Sequence, residues 1–247
     1  MINISSACLS FQHDGQKQSV LEDISFTIKA EDSCAVIGPS GCGKTSLLFL
    51  LAGILNPDSG SIEISGNPRC GTILQNYGLF PWKSVSENIG LGLTLKKTDK
   101  ARTKTIVDQL LDEMDLTGFG NHFPGQLSGG MQQRVALART LAIEPEILFM
   151  DEPLSSLDAL NRERLQNLIL DIIQNRKITT VLVTHSIEEA VFLGKEIIIL
   201  SKRPGRIITV VDNPGAVSSD YRQSDTFFQQ CIRLRELLKG EFNGQET

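Results

Sequence analysis

The sequence predicts an α/β fold with a mostly parallel sheet, an N-terminal antiparallel β element and an inserted all-helical subdomain. Three observations carry that expectation. Short apolar runs such as Cys34–Ile37 and Ile147–Met150 have the texture of strands buried on both faces, and helical patterns alternate with them. A glycine-rich stretch, Gly38-Pro39-Ser40-Gly41-Cys42-Gly43-Lys44-Thr45, lies between the first of these strands and a leucine-rich helix. Between Gln75 and Ile147 the strand signals cease and helical patterns follow one another.

Taken in order, residues 2–11 and 20–28 read as two strands joined by a polar loop, Gln12 to Ser19. Ile24, Phe26 and Ile28 alternate with polar residues, as in a half-exposed antiparallel element. A buried strand at 33–37 leads through the glycine-rich loop into a helix reaching Leu55. Asn56-Pro57-Asp58-Ser59-Gly60 is a turn, and short strands follow at 61–65 and 72–74, the second ending at Gln75. Tyr77 to Trp82 is an aromatic, Pro-containing loop. Helical patterns then cover 84–93, 99–115 and 128–142; in the middle one Ile106, Leu110, Leu111 and Met114 share a face. Strand 147–150, helix 159–174, strand 178–183, helix 186–193 and strand 196–200 resume the alternation, which argues a parallel, right-handed, doubly wound sheet. A last strand at 206–211 and an amphipathic helix from Asp225 to Lys239 complete the pattern.

Composition excludes several classes. With 24 basic against 29 acidic residues the net charge is −5, so the electrostatic footprint of a nucleic-acid binder is missing. The most apolar run, Leu47 to Leu55, is far short of the ~20 residues a membrane span needs. The N-terminus lacks a basic region and an apolar core, so no signal peptide is expected. Five cysteines form no C-x-x-C pair, which favours a reduced, cytoplasmic setting over a disulfide framework.

Residues 38–45 fit G-x-x-x-x-G-K-[ST] in the strand–loop–helix setting that a phosphate-binding loop requires, with Ser46 following in the helix. The glycines let successive backbone N–H groups point inward, and the helix N-terminus adds its positive dipole end. Lys44 is suited to the β- and γ-phosphates of ATP and Thr45 to Mg²⁺. Asp151-Glu152 directly follows an apolar strand; beside a phosphate loop, Asp151 would serve the metal and Glu152 the attacking water as general base, although an acidic pair after a strand is otherwise a cap or a solvated turn. Cys42, among backbone N–H groups and Lys44, is expected to have a lowered pKa and to be an alkylation-sensitive thiol that nucleotide protects. These motifs define a P-loop NTPase core from 1–75 and 147–211, a helical insertion over 76–146 and a C-terminal helical extension over 212–247, within one domain.

Further motifs carry a family resemblance. Leu127-Ser128-Gly129-Gly130-Met131-Gln132-Gln133-Arg134, just upstream of Ile147 to Pro153, resembles the signature of ATP-binding cassette (ABC) ATPases. Ser155-Ser156-Leu157-Asp158 resembles the D-loop, His185 the switch histidine and Gln75 the Q-loop glutamine, and the resemblance spans residues 2–211. Ser128-Gly129-Gly130, opening a helix, is itself an anion site. The resemblance implies two ATPs sandwiched in a head-to-tail dimer, with Ser128, Gly129 and Gly130 completing the site of a second ATPase subunit. It also implies that His185 holds the γ-phosphate and attacking water with Glu152, that Gln75 reaches Mg²⁺, and that Asp158 bridges the subunits; its plain reading is an N-cap. The family's adenine-stacking aromatic falls on His13, or on Phe11 if the register slips by two, the plain reading of Phe11 being a core residue.

Without a membrane span, transport must run through separate permease subunits, which by resemblance dock at Gln75 to Trp82; Phe80 and Trp82 could instead pack that loop onto the helical block. Leu79 to Ile89 and Leu200-Ser201-Lys202-Arg203-Pro204-Gly205-Arg206-Ile207 are similar to importers of the nitrate, sulfonate and taurine group. That resemblance implies a subunit at the cytoplasmic face of the inner membrane that powers import of a small solute delivered by an extracytoplasmic binding protein. The rival reading, an ABC ATPase acting on nucleic acid or the ribosome, calls for heptad arms, tandem cassettes or a basic surface, none of which the sequence displays.

Overall fold

Two sheets meet across one helix. The computed structural model describes residues 1–13, 15–155 and 157–243, without the side chains of residues 13 and 240–243. In chain order the first strands are β1 (Ile2–His13), β2 (Gln16–Ile28) and β3 (Ser33–Ile37), followed by helix α1 (Lys44–Leu51) and strands β4 (Ser59–Ile64) and β5 (Cys70–Ile73). Four helices follow: α2 (Val85–Ile89), α3 (Leu91–Leu95), α4 (Lys100–Glu113) and α5 (Gly129–Leu141). Then come β6 (Ile147–Asp151), α6 (Ala159–Arg176), β7 (Thr179–Val183), α7 (Ile187–Leu193), β8 (Glu196–Leu200), β9 (Ile207–Asp212) and α8 (Asp225–Asn243).

The smaller sheet is antiparallel, in the order β2-β1-β4, and its apolar face covers α1: Ile2, Ile4, Leu9, Val20 and Ile24 cluster with Leu47, Leu48 and Leu51. Its hairpin is tighter than the sequence suggests. Gln12 pairs with Lys17 and His13 with Gln16, so the expected loop 12–19 is mostly ladder. Polar residues hid these rungs because that end of the hairpin overruns the core and both its faces meet water. Phe11 lies there too, beyond Cys8, the last β1 residue paired with β4, and is 41% exposed; the core reading of Phe11 is thereby corrected.

The larger sheet runs β5-β6-β7-β3-β8-β9. Its first five strands are parallel, as the β–α alternation requires, and β9 is antiparallel to β8. The reversal follows from the connection, since the short loop 201–206 has no helix to carry the chain back for a parallel return. β3, β6 and β7 are buried at every residue. Their register places Val36 beside Val183 and Val183 beside Asp151, so the carboxyl ends of three strands leave the sheet side by side. In open α/β sheets that edge is where ligands bind.

Helices α2 to α5 pack over the β5 end of this sheet. The single helix expected over 84–93 is two short ones, because the chain turns at Gly90, where an added Cβ would approach Ser86 O and Val107 Cγ2 at 3.3 Å. Val107, Leu110, Leu111 and Met114 are buried on α4, with Ile106 partly covered. The aromatic loop before α2 is built on two side chains. Asn88, fully buried, donates through Nδ2 to the carbonyls of Phe80 (3.1 Å), Lys83 (3.0 Å) and Ser84 (3.0 Å), and its Oδ1 accepts from Phe80 N–H at 2.9 Å. Arg139 of α5 donates to the carbonyls of Gly78 (2.6 Å) and Tyr77 (2.7 Å). The loop thus presents Trp82, 71% exposed, with Phe80 edge-on against it at 5.5 Å; packing onto the helical block does not account for Trp82.

Asn88→Ala leaves these loop carbonyls without their partner, a loss of about 2–3 kcal/mol. Calorimetry is expected to show Tm lowered by roughly 5–10 °C. Emission of the single tryptophan, Trp82, should shift with it; an unchanged Tm and spectrum would contradict the clamp.

Candidate functional site

The loop after β3 is shaped by close approach as much as by turn chemistry. Gly41 (φ +75°) and Gly43 (φ +107°) take left-handed backbone conformations, and a Cβ on Gly43 would fall 2.8 Å from Leu21 Cδ2. A side chain on Gly38 would meet Leu200 O at 2.9 Å. No side chain caps α1 at Gly43, so the helix opens with its backbone N–H groups available. Lys44 Nζ reaches back to the carbonyls of Gly38 and Pro39, both at 3.0 Å, which pins the loop and uses two of the three ammonium donors. This is a cradle for an anion.

Across from it stand the carboxylates at the end of β6. Thr45 Oγ1 donates to Asp151 Oδ1 at 3.0 Å, and Asp151 is 3% exposed. Burial pushes the Asp151 carboxyl above its usual range, opposed by the Thr45 hydrogen bond. A buried carboxylate and a hydroxyl are hard oxygen donors, and together with phosphate oxygens they fit Mg²⁺. Glu152 has φ +45°, rare for a residue with a side chain and common where strain serves a site. Its N–H is satisfied by Val183 O at 2.9 Å, and its Oε2 accepts from Gln75 Nε2 at 3.3 Å and faces His185 Nδ1 at 3.2 Å. Two residues drawn from distant parts of the sequence, Gln75 and His185, therefore converge on one carboxylate oxygen of Glu152. The cleft between loop and carboxylates, about 260 Å³, is lined by Val20, Ser40, Gly41, Gly43, Lys44, Thr45, Ser46, Glu152 and Arg203.

Cys42 corrects an expectation. Its thiol points inward, 1% exposed, into the cluster with Leu47 and Leu48. Burial raises its pKa, and the Lys44 charge and backbone hydrogen bonds oppose that without reversing it. The sulfur lies in the core, so the low-pKa thiol expected from sequence is not formed.

The signature residues lie elsewhere. Ser128 caps α5 by accepting from Met131 N–H at 3.4 Å, and Gly129 and Gly130 open that helix. Ser128 and Gly130 line a separate hollow of about 150 Å³ with Met131, Arg134, Leu157, Asn161 and Leu165, which shares no residue with the phosphate-loop cleft. Asp158 caps α6, accepting from Asn161 N–H at 3.0 Å and Asn161 Nδ2 at 2.7 Å, and these bonds hold its carboxyl below the usual range. Ser156 and the side chain of His13, with its expected adenine-stacking role, lie outside the described residues.

Glu189 carries a role the sequence reading did not foresee. Buried, it accepts from Thr184 Oγ1 through Oε2, while Oε1 has no partner among the described residues. Thr184 Oγ1 in turn accepts from Ser186 N–H at 3.0 Å, so the pair fixes the turn that presents His185. Burial lifts the Glu189 carboxyl to about 7, with the Thr184 bond and the Arg162 charge opposing and the Glu152 charge adding. The only signal in the sequence was Ser186-x-x-Glu189, which reads as a capping box at the start of a helix.

With this geometry in place, comparison with known proteins is decisive. The sequence profile of the ABC transporter family matches residues 21–155. The chain belongs to the ABC transporter family. Among ABC relatives, the taurine import ATP-binding protein TauB of Pelagibacter ubique is 47% identical over 199 residues, 78% of this chain and 75% of that protein. TauB of Roseobacter denitrificans is 42% identical over 96% of this chain and 92% of its own length. The aliphatic sulfonates import ATP-binding protein SsuB of Bacillus subtilis is 43% identical over 83% and 82%. In three dimensions the ABC chain matches the dimeric post-hydrolysis structure of the ATP-binding cassette MJ0796 bound to ADP and Pi, with a TM-score of 0.79 and 27% identity over 86% of this chain and 98% of that one.

The raised carboxyl sets a pH dependence for this ABC chain. Below about pH 4.5 Glu189 is protonated whether folded or unfolded; as the pH rises towards 7 the unfolded chain ionises first, and stability falls by about 3 kcal/mol in all. In urea unfolding, the stability of Glu189→Gln relative to the parent is expected to rise by about 2–3 kcal/mol from pH 5 to pH 8. A difference independent of pH would overturn the assignment.

Proposed function

We propose that this chain is the ATP-hydrolysing subunit of an importer of a small sulfonate-type solute such as taurine, acting through separate permease subunits at the cytoplasmic face of the inner membrane. The observation that carries the enzymatic reading is the convergence of Gln75 and His185 on Glu152 Oε2 beside the phosphate loop. The names of the TauB and SsuB relatives support the cargo class.

In the proposed cycle backbone N–H groups of the loop and of the first turn of α1, with Lys44, take the β- and γ-phosphates of ATP. Thr45 and Asp151 would hold Mg²⁺, aided by Gln75, and the ion would neutralise charge on the phosphate oxygens. Glu152 Oε2 accepts a proton from the water that attacks the γ-phosphorus, while the bond from that phosphorus to the β,γ-bridging oxygen breaks and ADP leaves with the oxygen. His185, oriented by the Thr184–Glu189 pair behind it, fixes that carboxylate and the γ-phosphate with its two ring nitrogens. Because Ser128 and Gly130 line a different hollow, they and Gly129 between them serve the nucleotide of a second copy, and Asp158, bonded to Asn161 of that hollow, bridges the two copies. The dimeric structure of the MJ0796 cassette supports this arrangement. ATP closes the two copies and hydrolysis lets them part.

Among the described residues no helix is long and apolar enough to cross a membrane, so the path for solute lies in the permease. The exposed Trp82 and its neighbour Phe80 are the docking surface for it, on the loop that begins with Gln75. An extracytoplasmic binding protein delivers the solute from the other side.

Glu152→Gln keeps the shape of the site and removes the base. Turnover is expected to fall by about 10²–10⁴-fold. Size-exclusion chromatography with ATP and Mg²⁺ should show a stable dimer where the parent chain is transient. Rapid turnover by the variant would rule out Glu152 as base.

A further inference from the structure

Arg203 stands in the nucleotide cleft without an assigned role. It belongs to the loop 201–206 between β8 and β9. β8 is the parallel neighbour of β3, with Ile37 beside Ile199, so this loop and the phosphate loop leave the sheet together. The loop is tightly built. Ser201 Oγ accepts from Arg206 N–H at 3.0 Å and donates to Pro204 O at 3.1 Å. Gly205 donates to Val20 O at 2.8 Å and accepts from Glu22 N–H at 3.0 Å, which ties the loop to β2. It also lies against the phosphate loop itself: a Cβ on Gly205 would fall 2.3 Å from Cys42 O.

Two arginines flank that anchor and have different fates. Arg206 is engaged by Glu22, at 3.2 Å from Nε and 2.8 Å from Nη2. Arg203 makes no hydrogen bond or ion pair with the described residues, and its side chain lines the same cleft as Ser40, Lys44 and Glu152. Lys44 has two of its three donors committed to the loop carbonyls. A second, uncommitted cation on a fixed loop beside an anion cradle is suited to phosphate oxygens, which guanidinium can take in bidentate fashion.

We infer that Arg203 is a further nucleotide-binding residue whose guanidinium contacts the phosphate chain of the nucleotide held by residues 38–45. The inference rests on the reading of that loop as the nucleotide site. It gives a purpose to the Lys202-Arg203-Pro204-Gly205 stretch, which the hydrolytic cycle leaves unused. Because Arg203 is exposed and unpaired, replacing it should leave the fold intact.

The test is equilibrium titration of the full chain with a fluorescent ATP analogue, with unlabelled ATP, ADP and adenosine as competitors. Arg203→Ala is expected to raise the Kd for ATP and ADP about tenfold, with Arg203→Lys between it and the parent and with adenosine competition unchanged. Lys44→Ala serves as the reference. If Lys44→Ala loses binding and Arg203→Ala does not, the inference fails and the phosphate site stands. If neither variant changes ATP binding, the reading of residues 38–45 fails with it. Equal weakening of ATP and adenosine would place Arg203 at the base or sugar and overturn the phosphate assignment.

Discussion

The register of three parallel strands is the constraint on which the site depends. Val36, Val183 and Asp151 lie in one row across β3, β7 and β6, and each strand hands its next residues to the same edge. A one-residue slip would send alternate side chains to the opposite face, so the apolar faces of these buried strands enforce the row. Because the row is enforced, a phosphate loop, an acidic pair and a histidine from sequence positions far apart need no loop flexibility to meet. The hydrogen bond from Thr45 to Asp151 and the convergence on Glu152 Oε2 are consequences of that alignment.

The same economy joins the cleft to the helical insertion. Gln75, at the end of β5, touches Glu152, and two residues further on Tyr77 and Gly78 offer their carbonyls to Arg139 of α5. Asn88 then locks the stretch from Phe80 to Ser84. α5 begins with Ser128 and ends near Arg139, so the helix that opens at the signature also grips the loop that displays Trp82. Polar contacts, exposed at Gln75 and part-buried at Arg139 and Asn88, thus run from the cleft into the helical insertion. Desolvation, which lowers the pKa of the Arg139 guanidinium, makes its carbonyl contacts costly to break without replacement.

Much of this was legible in the sequence, and the exceptions have physical causes. Strongly periodic segments such as α4, α6 and the strands of the parallel sheet follow from apolar spacing, because their burial is what selects them. The motif pattern at 38–45, 75, 151, 152 and 185 could be read because phosphate and metal chemistry restricts residue type and spacing, and the fold brings Thr45 to Asp151 and both Gln75 and His185 to Glu152. The hairpin end at Gln12 to Ser19 was not, since a ladder with water on both faces carries no alternation. Cys42 was misjudged because a motif gives the backbone path and not the direction of each side chain. Glu189 and Asn88 look like ordinary polar residues until tertiary packing buries them, and the fates of Arg203 and Arg206 part only when the fold brings Glu22 to one of them.

In the proposed cycle, exposure within the cleft is the reason one chain would need a second. The Glu152 side chain retains 20% exposure and that of His185 59%, so in a lone subunit the pair that must handle a proton remains in contact with water. Oriented charges act strongly on a transition state only where solvent is excluded, since water screens them. Among the described residues, this chain's own signature hollow shares no lining residue with the cleft. In the proposed dimer the covering layer comes from a second copy, whose helix N-terminus opened by Ser128, Gly129 and Gly130 is chemically suited to the γ-phosphate end. In the proposed cycle, binding at residues 38–45 and hydrolysis at Glu152 are thus separable: the first would need one fold, and the second two of them face to face.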